Sequence, residues 1–378
     1  FNQYYIIDMN NSELKTLIKK QKTNYSLDQE FYVSQHIFDL DVKNIFSKQW
    51  VFVGHISRIP NYGDYFLFNI GKESIIIIRD KDNAVHAHYN VCRHRGSQIC
   101  LENEGNSKVL ICPYHAWTYN IDGSLKGARL MDKDFNKNDW HLHKCNSKIF
   151  EGLIFINLSE HPNDFEEFIA PTKKFIEFHG LADAKIAHRQ YYPTDGNWKL
   201  TLDNFHECYH CQPSHPEYCQ VHDKDYIVAY GAGSNTGPAS EKFDNILNEW
   251  NTKVKKMGHL TGEYSETEFN DYSRSAERTP LKEGMFTETK TGKPISKLMG
   301  NFKDYDCGYT SVGTSPFNSL LMCNDFATLF TFIPISPLYT QVELMWLVHK
   351  DAEEGKDYNI EEMKWMWDVT TIADKRII

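Results

Sequence analysis

Two short stretches concentrate side chains able to do chemistry. Cys92-Arg93-His94-Arg95-Gly96 is followed by Cys112-Pro113-Tyr114-His115-Ala116-Trp117. The pattern is Cys-x-His, seventeen residues, then Cys-x-x-His. Two thiolates and two imidazoles can hold one zinc ion. The same set can hold a two-iron cluster, with both thiolates on one iron and both imidazoles on the other. The second stretch is Asp203-Asn204-Phe205-His206-Glu207-Cys208-Tyr209-His210-Cys211-Gln212-Pro213-Ser214-His215. Glu207 and His210 are three apart and share a face if the segment is helical. Pro213 stops a helix near Gln212, so His215 comes from a turn able to fold back on His210. Two imidazoles with one distant carboxylate make the facial triad of non-haem iron oxygenases. His206 with His210 as a zinc pair, and Cys208-x-x-Cys211 as a redox or zinc motif, stay open on this segment alone. Carboxylates for the third position are Asp325, Asp351, Asp368 and Asp374.

The elements that must position these groups fall into two styles. Residues 11–48 read as helical, with Ser12 a cap before Glu13–Lys20. From 49 to 158 short β-rich runs alternate with turn signals such as Asn61-Tyr62-Gly63 and Asp122-Gly123, which describes a small all-β domain. Residues 164–185 and 198–209 read as helices, and 358–378 as a closing helix. Leu320–Cys323, Thr328–Ile335 and Gln341–His349 read as strands, and the polar stretch 231–300, built around a helix at Phe243–Lys256, reads as a lid or surface insertion. The chain has 378 residues, 41% hydrophobic and 24% charged, which suits two domains with sizeable cores and excludes global disorder. No 18-residue apolar run is present, so a membrane span is not expected. The net charge of −10 disfavours nucleic acid as a partner. Nine cysteines, an odd count, with no secretory leader at the start suggest a reducing cytoplasm rather than a disulfide framework, and Phe1 in place of Met suggests a trimmed N-terminus.

The first stretch resembles the Rieske motif, with Gly96, Pro113, Tyr114, Ala116 and Trp117 matching the usual surroundings. The second resembles the catalytic motif of Rieske oxygenase α subunits: acidic-Asn, two residues, acidic, two residues, His, four residues, His, matched at Asp203, Asn204, Glu207, His210 and His215. The resemblance implies an α+β chain: an N-terminal all-β Rieske [2Fe-2S] domain and an α+β helix-grip (START/Bet v 1-like) catalytic domain with an antiparallel sheet. Its expected divisions are an N-terminal helical segment packing on the catalytic domain (1–48), the Rieske domain (49–158) and the mononuclear iron catalytic domain (159–378). Cys92 and Cys112 would bind the inner iron of the cluster, and His94 and His115 the outer one. His210 and His215 would bind the mononuclear Fe(II). In the family the third ligand lies in a C-terminal helix, in an acidic pair. Asp374 fits best there, with Ala373 replacing the usual acid and Asp368 as runner-up. Glu207 would join the two sites across a subunit interface, and Asn204 would shape the iron site without ligating. His206, Cys208 and Cys211 would be packing or supporting residues.

The expected reaction uses O2 and electrons from NAD(P)H, delivered by a separate flavin/iron–sulfur reductase, in a cytoplasmic head-to-tail homotrimer. Glu at 207 rather than Asp, with His215-Pro216-Glu217, is similar to the branch acting on glycine betaine, stachydrine, carnitine and choline. The implied outcome is hydroxylation of an N-methyl group of a glycine betaine-like compound, releasing formaldehyde and the demethylated amine. Aromatic faces hold trimethylammonium groups by cation–π attraction. Phe205, Tyr209, Phe326, Phe330 and Trp365 are candidate walls, with Tyr309, Phe332 and Trp346 as others. Two further readings are an aromatic ring-hydroxylating dioxygenase and a zinc-stabilised ligand-binding protein without redox activity.

Overall fold

The computed structural model describes residues 11–231, 237–265 and 274–378. It separates into two compact units, one of residues 46–162 and the other of the remaining chain on either side.

The unit of residues 46–162 is built of strands. Val51–His55, Leu153–Asn157 and Asn146–Phe150 form one antiparallel sheet. Val85–Tyr89, Glu73–Arg79, Asp64–Ile70 and Glu104–Asn106 form a second, in that order. Leu110–Ile111, Thr118–Tyr119 and Leu125–Gly127 form a third, which carries the second Cys/His loop. The run Ile75-Ile76-Ile77-Ile78 is completely buried, so this strand is covered on both faces. Ile76, Ile78, Trp117, Tyr119, Leu125 and Leu142 share one core cluster with Cys92 and Cys112. Both thiols are therefore set in hydrophobic packing, which fixes them more firmly than a loop could alone.

The other unit has a seven-stranded antiparallel sheet. Its spatial order is Ala184–Thr194, Tyr339–His349, Phe326–Ser336, Asn318–Met322, Gly308–Ser315, Ser275–Pro280 and Gly262–Ser265. Phe326–Ser336 is buried over its first nine residues, which places this strand in the core of the unit. Phe165–His179 starts at Asp164, whose side chain accepts from the Glu167 N–H, and ends at Gly180 in the left-handed conformation. The closing helix Ile360–Ile377 starts at Asn359, which accepts from the Glu362 N–H at 3.1 Å. No helix among the described residues is long and apolar enough to cross a membrane.

Residues 11–45 fall into this same unit. Buried Asn197 explains part of that. Its side chain accepts from the Lys199 N–H and donates to the carbonyls of Tyr32 and Pro337 at 2.8 and 2.7 Å. It thereby caps the helix Trp198–His206 and ties that helix to the N-terminal segment and a sheet turn. Asp41 adds an ion pair with Lys199 and accepts from Trp198 Nε1 at 3.0 Å.

The stretch 231–300 differs from a lid. Pro238–Met257 is a helix capped by Gly258 at φ +77°, and Gly262–Ser265 and Ser275–Pro280 are sheet strands. Residues 232–236 and 266–273 of that stretch lie outside the described residues. The buried side of the sheet carries a charged cluster. Arg278 makes two bonds to Asp306 at 3.1 and 3.0 Å, His259 Nδ1 lies 2.9 Å from Asp306, and the side chains of all three are wholly buried.

Candidate active site

The two Cys/His loops close in the same way. Cys92 N–H donates to Ser97 C=O at 2.8 Å, and Gly96 N–H donates to Cys92 C=O at 3.0 Å. Cys112 N–H donates to Trp117 C=O at 2.8 Å, and Ala116 N–H donates to Cys112 C=O at 3.0 Å. In each loop the fourth residue after the cysteine is left-handed, with φ +72° at Gly96 and +57° at Ala116. Cys92 and Cys112 are each 2% exposed. Burial raises the Cys92 thiol pKa, against a pull downward from Tyr119, whose hydroxyl lies 3.3 Å from Sγ. A thiolate so placed needs a cation beside it. His94 stacks on Trp117 at 4.9 Å, and its ring centre lies 4.7 Å from that of His115. Nδ1 of His94 is buried and has no hydrogen-bond partner. Two buried sulfurs, paired imidazoles further out and an orphaned ring nitrogen fit a two-iron cluster with divided ligands. Cys100 lies outside this set, as a thiol that burial raises to about 11.

The second centre draws on three elements. The helix Trp198–His206 presents Asn204 and ends at Glu207. A short helical turn, Cys211–Ser214, separates His210 from His215, and Pro216 opens the next helix, Pro216–Val221. The closing helix brings Asp374 across. His210, His215 and Asp374 offer ligand atoms that all lie within 4.8 Å of one another. Asp374 Oδ1 is 2.7 Å from His215 Nε2 and 3.2 Å from His210 Nε2, and the two Nε2 atoms are 3.1 Å apart. Glu207 Oε1 accepts from His210 Nδ1 at 2.5 Å, which leaves the Nε2 lone pair facing the other two groups. Asn204 Nδ2 donates to His210 Nε2 at 2.9 Å and lies 3.3 Å from Asp374 Oδ1. Buried Nδ1 of His215 has no partner. Two imidazoles and one carboxylate converging on one point fit a divalent iron with open positions.

Asp368 does not join them. It accepts from Tyr192 Oη at 2.6 Å and Gln190 Nε2 at 3.2 Å, on the strand Ala184–Thr194. Buried Asp325 is occupied by Thr287, Tyr305 and two backbone N–H groups. Asp203 is exposed on the outer side of its helix and does not line the cavity beside the triad. Cys208 and Cys211 are joined by a disulfide, so they are more than packing residues. The other described cysteines are free thiols.

The triad opens into a cavity of about 260 Å³. Phe205 and Tyr309 line it as expected, but the other rings differ. Tyr209 is 84% exposed, in the turn after Glu207. Phe326 is wholly buried at the far end of its strand. Trp365 lies on another side of the closing helix from Asp374, because two residues turn a helix by about 200° between it and Trp367. Phe330 and Phe332 line a separate small cavity of about 20 Å³, packed against Phe205 at 5.0 and 4.9 Å. Trp346 is wholly buried in the core. The walls that sequence reasoning missed are Tyr218, Tyr226, Glu277 and Trp367. For Trp367 a signal existed: 367, 370 and 374 recur at helical spacing on one face. Tyr218 lies three residues after His215, while Tyr226 and Glu277 come from distant segments. Tyr218 stacks on His222 at 4.0 Å, and the buried carboxylate of Glu288 holds His222 at 3.1 Å and Trp367 Nε1 at 3.0 Å. Burial raises the phenols of Tyr218, Tyr226 and Tyr309, so all three stay neutral.

Residues 181–376 match the model of the ring hydroxylating alpha subunit catalytic domain, and residues 49–145 match that of the Rieske [2Fe-2S] domain. The glycine betaine monooxygenase oxygenase subunit of Pseudomonas aeruginosa is 35% identical over 366 residues, 96% of this chain and 82% of that one. The carnitine monooxygenase oxygenase subunit of Acinetobacter baumannii is 38% identical over 193 residues, 50% of this chain and 52% of that one. Among solved structures, a quaternary ammonium Rieske monooxygenase superposes with a TM-score of 0.68 at 24% identity, covering 92% of this chain and 82% of that one.

Proposed function

The chain belongs to the family of ring-hydroxylating oxygenase α subunits that carry a Rieske [2Fe-2S] domain, and from that premise we propose that it hydroxylates an N-methyl group of a quaternary ammonium compound, releasing formaldehyde and the demethylated amine. It is a Rieske-type non-haem iron oxygenase component, whose cofactors are the cluster and a mononuclear iron, with O2 as co-substrate and a separate reductase. When bound, the cluster supplies single electrons and the mononuclear iron supplies oxygen activation.

In this reading Cys92, Cys112, His94 and His115 hold the cluster, and His210, His215 and Asp374 hold the iron. Glu207 fixes the His210 ring and faces outward, its side chain 46% exposed, where a carboxylate can bond a histidine of another subunit. In this reading the chain forms a head-to-tail homotrimer, in which one subunit's cluster serves its neighbour's iron, and the outward-facing Glu207 supports it. NAD(P)H supply favours the cytoplasm. With the Nε2 lone pair of His210 given to iron, Asn204 Nδ2, 3.3 Å from Asp374 Oδ1, would donate to that carboxylate and orient it.

The observation that carries the substrate class is the aromatic lining. Tyr218, Tyr226, Tyr309 and Trp367 wall the cavity that opens on the triad. Four rings, each offering about 0.5–2 kcal/mol to a trimethylammonium group, suit a cation that cannot donate a hydrogen bond. The relatives named for glycine betaine and carnitine monooxygenase support the same class. The test is formaldehyde release and NADH consumption with a reductase, across glycine betaine, choline, carnitine, stachydrine and a bicyclic arene. Formaldehyde from at least one amine is expected; a diol from the arene alone overturns the reading.

A further inference from the structure

We propose that Glu288 positions the aromatic walls of the cavity, and that this sets the preference for a trimethylammonium group over an uncharged group of the same shape. The inference rests on the function proposed above, and it concerns a residue that does not itself line the cavity.

Glu288 lies between Thr287 and Thr289, and all three are buried. Thr287 Oγ1 donates to Asp325 Oδ1 at 2.7 Å, and the Lys290 carbonyl accepts from Gln220 Nε2 at 2.7 Å, so the loop is held on both sides. From this fixed point each carboxylate oxygen takes one partner. Oε2 accepts from Trp367 Nε1 at 3.0 Å, and Oε1 lies 3.1 Å from His222 Nε2. Trp367 is itself a wall. His222 lies behind the other three. It stacks on Tyr218 at 4.0 Å with the planes 21° apart, lies 6.2 Å from the ring of Tyr226 at 29°, and meets Tyr309 edge-on at 4.8 Å and 80°. One carboxylate therefore reaches all four rings, one directly and three through His222.

Ring orientation matters because the aromatic quadrupole is negative over the face and positive at the edge. A cation gains from a face and loses at an edge. A tert-butyl group has the shape of trimethylammonium and no charge, so it needs only apolar area. Turning a wall from face to edge therefore weakens the cation more than its uncharged twin. A ring left free to turn would also have to be ordered each time a substrate bound. Burying a carboxylate is unfavourable unless its oxygens are bonded. Here both bonds go to a wall or to the ring behind the walls. An apolar side chain could fill the same space, but it would leave Trp367 Nε1 without its acceptor and His222 unheld.

Two substitutions separate position from charge. Glu288→Asp keeps the charge but is one methylene too short to hold both partners. Glu288→Gln keeps the reach without the charge. Its carbonyl can accept from Trp367, and its NH2 can donate to His222, whose ring holds no metal in this reading and is free to change tautomer. Anaerobic isothermal titration calorimetry on each holoenzyme compares choline with 3,3-dimethylbutan-1-ol and glycine betaine with 3,3-dimethylbutanoate, alongside formaldehyde release from the amines. Each pair differs only in nitrogen or carbon at the branch point. The iron and Glu277 are common to all variants, so their charges cancel when a variant's ratio is set against the parent's. In Glu288→Asp the affinity of amine relative to carbon analogue should fall on the order of tenfold. In Glu288→Gln it should stay near the parent's, and both variants should keep the mononuclear iron. A parent-like ratio in Glu288→Asp overturns the proposal; so does an equal fall in Glu288→Gln, or loss of that iron from Glu288→Asp. Should Glu288→Asp not fold, His222→Gln keeps Glu288 bonded but removes the ring behind the tyrosines. It should lower the ratio as well, and an unchanged ratio there overturns the proposal. The broader reading fails in a different way: neither amine binds the parent and neither yields formaldehyde.

Discussion

Replacing Glu207 by Gln isolates what the carboxylate does for the iron site. Oε1 accepts from His210 Nδ1 at 2.5 Å, and Oε2 accepts from the backbone N–H groups of Tyr209 and, at 3.4 Å, His210. Every neighbour is therefore a donor. A Gln side chain keeps the shape but must turn its NH2 toward one side, so a donor faces a donor. A hydrogen bond to a charged group contributes about 1.5–3 kcal/mol. With the Glu207 side chain 46% exposed, the lower end applies. About 1.4 kcal/mol is a factor of ten, which agrees with the roughly 10–100-fold losses in metal affinity seen when a ligand's supporting partner is removed. The assay is competition with a ferrous chelator on protein whose cluster is loaded and whose mononuclear site is depleted. The Glu207→Gln variant should hold iron about tenfold more weakly while its cluster absorbance is unchanged. At saturating iron both centres fill, yet turnover should stay lost, because the carboxylate is also the proposed link between subunits. Parent-like iron affinity would refute the hydrogen-bond argument. Full recovery of turnover at saturating iron would refute the bridging role.

Asp374→Asn should lose the mononuclear iron and keep the cluster, whereas Asp368→Asn should keep both; iron analysis showing a stoichiometric mononuclear iron in Asp374→Asn sinks the triad assignment. Asp306→Ala leaves the wholly buried Arg278 guanidinium uncompensated, which costs about 3–5 kcal/mol; urea unfolding that matches the parent would show that the pair is not needed. His88, buried and donating to Ile121 C=O at 2.8 Å, has its pKa pulled down by burial to about 4. Between pH 6.5 and 4 the unfolded chain takes up a proton that the native imidazole refuses. Stability therefore falls with falling pH over that window, by up to about 3 kcal/mol, and is unaffected above it. His88→Gln should flatten that slope in denaturation measured across pH 4–7, and an unchanged slope would contradict it.

The two stretches proposed to bind metal were legible because their candidate ligands are near neighbours in sequence, so spacing alone describes the loop. The closing helix was legible from its periodicity, and Asp374 from the resemblance. What could not be read depends on pairing across the sheet. The strand Ala184–Thr194 interleaves Lys, His, Arg and Gln with its apolar residues, because its outward side is only half-buried, and the segment carries no clean alternation. Gly308–Ser315 is small and polar, yet lies in the middle of the sheet. Glu277 meets Ser311 only through the register of their two strands, and Tyr226 reaches Glu277 from 51 residues away. Trp365 and Trp367 are indistinguishable by composition. Only the phase of the helix relative to Asp374 decides which faces the cavity.

Each Cys/His loop is closed by its own pair of backbone hydrogen bonds and owes nothing to the length of chain between them. Residues 101–106 of that connection are exposed. Extra residues spliced in at 102–103 should leave both Cys/His pairs undisturbed, so an affinity tag or spectroscopic probe could be inserted there beside the proposed cluster site without disassembling it.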